Sequence, residues 1–260
     1  IPAAFGRAGR AVHALVLLGG ALLLGGAARA LCAIYPESRG GPLTGLLLLL
    51  AAAYAAERGE ETVLRSGAIL FFFLTAVEAV ILGFSAVQVR AAWLAPQTGR
   101  VPLAAMTAAL SPMAVLYVRG GARRTGGWLA AGIGLCAAAA LCAAGTLSPR
   151  VAGEEAFAVY TMAKSVSVFG VMERLEPVVS AALLMGFFAL ESLLLEAGRE
   201  QIVWAAPNLA EKRWARVALG IVVFGLSFVT DGIPAEAWAL GAAVCWGIAP
   251  LLTQLIVAIN

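Results

Sequence analysis

The sequence predicts an all-α, polytopic membrane-spanning helix bundle, and three observations carry that prediction. Hydrophobic residues make up 62% of the chain and charged residues only 13%, with a mean hydropathy of +0.92, too apolar for a water-soluble domain of this length. Apolar runs able to cross the ~30 Å hydrocarbon core, which takes roughly 20 helical residues, recur from end to end. The arginines and lysines sit in short segments between those runs, where they act as orientation signals. The net charge of +3 therefore does not point to nucleic acid.

Eight candidate spans follow in order: 11–34, 42–57, 66–88, 101–118, 126–147, 175–196, 214–230 and 236–257. Breakers separate them: Pro36 to Pro42, the charged Glu57-Arg58-Gly59-Glu60-Glu61, Pro96 to Pro102, Gly120-Gly121, Ser148-Pro149, Pro207-Asn208, and Gly232 to Pro234. The second span is short, about 24 Å at 1.5 Å per residue, so it is expected to lean on neighbours or run on into its charged end. Residues 156–172 are too polar to span and are expected to form a loop helix at the membrane surface. Residues 1–260 read as a single integral membrane domain. The chain opens at Ile1 rather than Met, which reads as a piece whose start is missing. Arg7, Arg10 and Ala28-Arg29-Ala30 imitate a signal peptide, but an apolar stretch reaching Ile34 favours a span.

Orientation comes from counting basic residues by face. Arg7, Arg10, Arg58, Arg65, Arg119, Arg123, Arg124, Arg199, Lys212, Arg213 and Arg216 fall on one side. Arg39, Arg90, Arg100, Arg150, Lys164 and Arg174 fall on the other, and Arg29 stays inside the first span. The excess on the first side places both chain ends in the cytoplasm and the 148–174 loop outside.

Residues for enzyme chemistry are scarce, and the chain is read as a non-enzyme without metal or cofactor. The single histidine, His13, cannot make a multi-histidine site. Cys32, Cys136, Cys142 and Cys245 each sit in or at the end of an apolar run and read as small buried residues. No nucleophile elbow or phosphate-cradling glycine loop occurs. The glycine- and alanine-rich stretches GGALLLGGAA and CAAAALCAAG suit close packing of membrane helices.

Three features stand apart. Leu110-Ser111-Pro112 interrupts the fourth candidate span, where proline removes a backbone donor and clashes one turn back. The break is either a plain kink or a discontinuity lining a cavity, as in transporters. Glu78 lies near the centre of its span, where a carboxylate must face the bundle interior and find a partner or carry a proton. Glu191 lies one or two turns from the cytoplasmic end of its span, from which it can reach the interface. A further cluster, Glu173, Arg174 and Glu176 followed by Pro177, reads as a helix start: acids favour the first turn and proline is tolerated there.

The order of residues in two blocks goes further. FGVMERLEPVVSAALLMGFFALESLLLEAG, with its Glu-Arg-Leu-acid segment, and AAYAAERGEETVLRSGAILFFFLTAVEAVIL, with Tyr54, Arg58-Gly59, Glu61 and Arg65, resemble the B subunit of bacterial spore germinant receptors, the GerAB-type endospore germination permeases. The spacing of the spans between and after these blocks also agrees. The resemblance implies the LeuT-like fold of the amino acid–polyamine–organocation superfamily, two inverted five-helix repeats. On that alignment the chain lacks the first two helices, 1–88 supplies the last three helices of the first repeat, and 101–260 the second repeat. It implies residence in the cell membrane or spore inner membrane, A- and C-type receptor subunits as partners, and a small nutrient such as an amino acid as ligand. Leu110, Ser111 and Pro112 then fall at the second discontinuous helix, though the family often carries a Phe-x-Gly-x-Glu-like segment there. An ion- or proton-coupled amino acid transporter of the same superfamily is the alternative.

Overall fold

The computed structural model describes residues 7–34, 41–94, 122–155, 157–165, 176–205, 213–233, 235–249 and 251–252, and among them all regular structure is helical. The elements are α1 (Arg7–Ile34), α2 (Gly41–Glu57), α3 (Glu60–Ala86), α4 (Ala122–Leu147), α5 (Pro149–Glu154), α6 (Ala158–Ser165), α7 (Glu176–Ala205), α8 (Arg213–Ser227) and α9 (Ala235–Ala242). Short 3₁₀ turns occupy Ala91–Trp93 and Phe228–Gly232, and a π-helical turn, Ala243–Ile248, continues α9. In hydrocarbon every backbone N–H and C=O must be satisfied within the segment, which is why apolar windows of this length become helices.

Among the described residues, four helices are long and apolar enough to cross a membrane: within α1, α3, α4 and α7, the stretches His13–Leu31, Glu60–Ala86, Ala130–Leu147 and Pro177–Glu200. The stretch Leu43–Glu57 of α2 is apolar but shorter. The candidate span 101–118 lies outside the described residues. Charges do not end the helices where they end the apolar windows. Helix α3 begins at Glu60, whose acidic first turn with Glu61 complements the helix dipole, and α7 runs past Glu196 to Ala205.

Two residues, Arg58 and Gly59, separate α2 from α3. Gly59 has φ +92° and ψ 170°, a conformation open only to glycine, and its carbonyl accepts the N–H groups of Thr62 and Val63 at 3.1 and 3.2 Å. A Cβ there would meet nothing within 4 Å, so substitution acts through the backbone alone. Gly59→Ala is expected to lower stability by about 1–3 kcal/mol, measured by denaturant titration in detergent. An unchanged value would mean that the turn relaxes freely.

Close approaches fix how the helices run. A Cβ on Gly25 of α1 would lie 3.1 Å from Leu49 of α2, and one on Gly45 of α2 3.6 Å from Arg29, so α1 and α2 are antiparallel. Gly198 of α7 abuts Leu17 and Leu18 of α1, while Val179 shares a cluster with Leu31, so α1 and α7 are antiparallel too. Gly186 beside Leu74, with Val179 clustered near Ile81, sets α3 antiparallel to α7. Gly20 against Trp246 and Gly241 against Leu23 lay the α9–π segment antiparallel along α1. Because lipid is as apolar as leucine, such small-residue contacts supply association through close van der Waals packing.

Helix α7 is the spine. Its C-terminal half joins a cluster with α1, α2, α8 and the π-turn, containing Leu17, Leu24, Leu49, Ala52, Leu194, Leu195, Val223 and Trp246. Its N-terminal half joins a second cluster with Leu31, Ile81, Ala143, Tyr160, Met162 and Ala163. Of the segment expected to form a loop helix at the membrane surface, residues 157–165 are described, and residues 156 and 166–172 lie outside the described residues. Helix α6 is too short to span, but Tyr160, Met162 and Ala163 are buried against α3, α4 and α7. Its polar residues Lys164 and Ser165 stay exposed, so its average polarity concealed an apolar inner face.

Candidate functional site

Buried polar side chains are few among the described residues: Ser85, Ser180, Glu191, Ser192, Glu196 and Ser227. Three of the six have a local explanation, whereas the hydroxyls of Ser85 and Ser180 are buried without a hydrogen-bond partner among the described residues. The hydroxyls of Ser192 and Ser227 donate to the carbonyls of Phe188 and Phe224, each at 2.7 Å, the usual way a serine is accommodated in a helix interior. Glu196 holds Arg199 in a two-point fork, Nη2 to Oε1 at 2.6 Å and Nε to Oε2 at 2.7 Å. Such bidentate pairs join charge to fixed geometry. The i,i+3 spacing on one helix could have revealed this pair from sequence.

Glu191 is different. It is 2% exposed, and both carboxylate oxygens are buried without a hydrogen-bond partner among the described residues. The sequence placed it one or two turns from the end of its span, and the structure buries it inside the helix bundle. Helix α7 continues to Ala205, so nine further residues, about 13 Å of rise, separate Glu191 from Glu200 at the end of the apolar stretch. It sits where Leu190, Leu194 and Leu195 enter the first cluster. Seven residues along the same helical face, Gly198 meets Leu17 and Leu18, so the level of Glu191 on α1 is that of Leu24 and Gly25. The acid therefore lies in the seam between α1 and α7.

Glu78 is not brought to this site. It lies on the inward side of α3, half-buried, near the second cluster through its neighbours Val77, Ile81 and Leu82. The antiparallel pairing of Leu74 with Gly186 sets Glu78 level with about Ala182, some nine residues or about 13 Å of rise from Glu191. The two intramembrane acids thus occupy separate clusters. Leu110, Ser111, Pro112, Glu173 and Arg174 lie outside the described residues. Glu176 and Pro177 lie in the first described turn of α7.

Two features escaped sequence reasoning. Arg29, stranded inside the first span, donates from Nη2 to the carbonyl of Ser227 at 3.0 Å and lies 4.0 Å over the Phe228 ring. That carbonyl is available because α8 gives way to a 3₁₀ turn at Phe228. The other is the π-turn, which presents Cys245 and Trp246 side by side to Gly19 and Gly20; such wide turns recur at functional sites. Neither carries a sequence signature. Among the described residues, no three His, Cys, Asp or Glu side chains converge to hold a metal ion. Compared with family models, curated proteins and solved structures, the chain matches none.

Proposed function

We propose that this chain is a permease-like membrane subunit of the spore germinant receptor type. It binds a small nutrient such as an amino acid within the bundle and passes a change of shape to A- and C-type partner subunits. Glu191 is the observation that supports ligand handling over a scaffold role. A helix bundle that only holds itself together gains nothing from an acid sealed at mid-span without a hydrogen bond, whereas intramembrane acids characteristically serve ions, protons or ligands. The germinant class rests on the Glu173-Arg174-Leu175-Glu176 block and on the Tyr54 to Arg65 block. In this reading the fold is LeuT-like, the membrane is the spore inner membrane or cell membrane with both termini cytoplasmic, and Leu110, Ser111 and Pro112 contribute the ligand site. The nutrient carboxylate would meet N–H groups freed at the helix break.

A second reading is favoured by the same acid: a transporter of that superfamily, driven by an ion or proton gradient. The discriminating experiment uses the full-length protein with its partners. Ser111→Leu, which fills the break with apolar bulk, is expected to shift nutrient-triggered germination rightward by about tenfold or more, ~1.4 kcal/mol of binding, at normal membrane levels. An unchanged curve removes Ser111 from the ligand site. Uptake of labelled amino acids by the protein alone in liposomes would assign transport instead.

A further inference from the structure

We infer that Glu191 is an exchangeable proton site in the α1–α7 seam, holding a proton while the two helices are closed and releasing it when they part. Three cationic occupants suit a buried carboxyl: an amine, an alkali cation or a proton. An amine or a metal cation needs room and several oxygen ligands. The apolar residues Leu190, Leu194 and Leu195 flank Glu191 on α7, and the hydroxyls of Ser192 and Ser227 are spent on main-chain carbonyls. A proton needs neither room nor ligands.

The charged groups on the packed helices leave this assignment intact. On α7 itself, the nearest, Glu196, is committed to Arg199, with Glu200 beyond. On α1, Arg29 is held by Ser227 and Phe228, and His13 is eleven residues from Leu24, about 16 Å of rise. Helix α2 offers Glu57, eight residues beyond Leu49 or about 12 Å along the axis. Helix α3 offers Glu78 at the separation given above; on the same register Arg65 is level with about Leu195, four residues or about 6 Å of rise from Glu191, but its side chain is exposed and paired with Glu61. Arg213 and Arg216 open α8 at the end away from Ser227, and the π-turn brings Cys245 to the level of Gly19 and Gly20. Among the described residues, neither Glu191 oxygen has a hydrogen-bond partner.

The step balances simply. As α1 and α7 separate, water reaches the carboxyl, the O–H bond breaks, the electron pair stays on the Glu191 oxygen and the proton passes to water; reclosure takes one back. For what the proton is coupled to, this inference rests on the permease reading, but the site itself can be tested without any nutrient.

The experiment is infrared spectroscopy of the full-length protein in phosphatidylcholine liposomes at neutral pH, in H₂O and after transfer to D₂O. The expected result is a protonated carboxylic C=O band that is absent from Glu191→Gln, retained in Glu78→Gln, and shifted on exchange into D₂O. The amide bands of all three proteins should report equal helix content. An ionised Glu191 at neutral pH, or a protonated band that never exchanges, overturns the proposal. Adding an equimolar mixture of amino acids separates the two readings. A band that exchanges but ignores the mixture, with no binding by calorimetry, leaves the proton site standing and removes the nutrient-binding function.

Discussion

Gly20→Leu is expected to detach the C-terminal helical segment from α1 and to cost more than 3 kcal/mol, beyond the usual range of about 1–3 kcal/mol for overpacking. The position has no slack. A Cβ alone would lie 3.0 Å from Trp246 Nε1 and 3.3 Å from both Trp246 Cδ1 and Cys245 Cβ. Trp246 is only 5% exposed, so its ring cannot swing aside, and the Cys245 Cβ is fixed to the backbone of the π-turn. Leucine adds three further carbons beyond that Cβ. In a membrane the segment can leave at little solvation cost, because lipid accepts its apolar face as readily as α1 does. The readout is maleimide labelling of Cys245 in a background lacking the other cysteines, alongside denaturant titration. Labelling should accelerate strongly in Gly20→Leu and to a smaller extent in Gly20→Ala. Equal rates in all three proteins would mean that α1 and the π-turn are not in contact.

The second large effect has two signs. Glu191→Met is expected to raise stability by about 1–3 kcal/mol, the cost of an unsatisfied buried polar group, while abolishing nutrient response or proton movement. Methionine matches the length and flexibility of glutamate and brings no polar atom. With both oxygens unpartnered among the described residues, removing the carboxyl breaks no bond that the structure contains. An acid kept for architecture would behave in the opposite way, its loss weakening the bundle and leaving function to fall in proportion. Gain of stability with loss of activity is the signature of a site held at the expense of the fold. Denaturant titration and germination or uptake assays on the same preparation check both signs together.

Much of the helical content was legible because hydrophobic length and helix are nearly the same statement in hydrocarbon. The candidate spans 11–34, 42–57, 126–147 and 175–196 are helical over their described residues, 66–88 is helical as far as Ala86, and 214–230 ends in a 3₁₀ turn only at its last residues. The helix ends were less legible. The apolar window closed at Glu196, yet the Glu196–Arg199 fork pairs those charges and α7 continues to Ala205; reading the charges singly hid the pairing. Arg29 was visible as an anomaly but its partner was not, since the Ser227 carbonyl is 198 positions away. The glycine pairs announced close packing in general terms. Which helix each would meet depends on long-range assembly that composition does not encode. Glu78 and Glu191 were both singled out, but only the pairing of α3 with α7 shows that they lie in different clusters.

The central claim is that Glu191 is kept for function against the interest of the bundle, and neighbouring Glu196 provides its control. The decisive measurement is the change in unfolding free energy of Glu191→Met and Glu196→Met, titrated in the same detergent. Both residues are nearly fully buried on one helix, but only Glu196 is paired. Opposite signs are predicted: a gain of about 1–3 kcal/mol for Glu191→Met and a loss of similar size for Glu196→Met, which strands the Arg199 guanidinium. Losses in both variants would contradict the account, because Glu191 would then be a structural residue with a partner of its own.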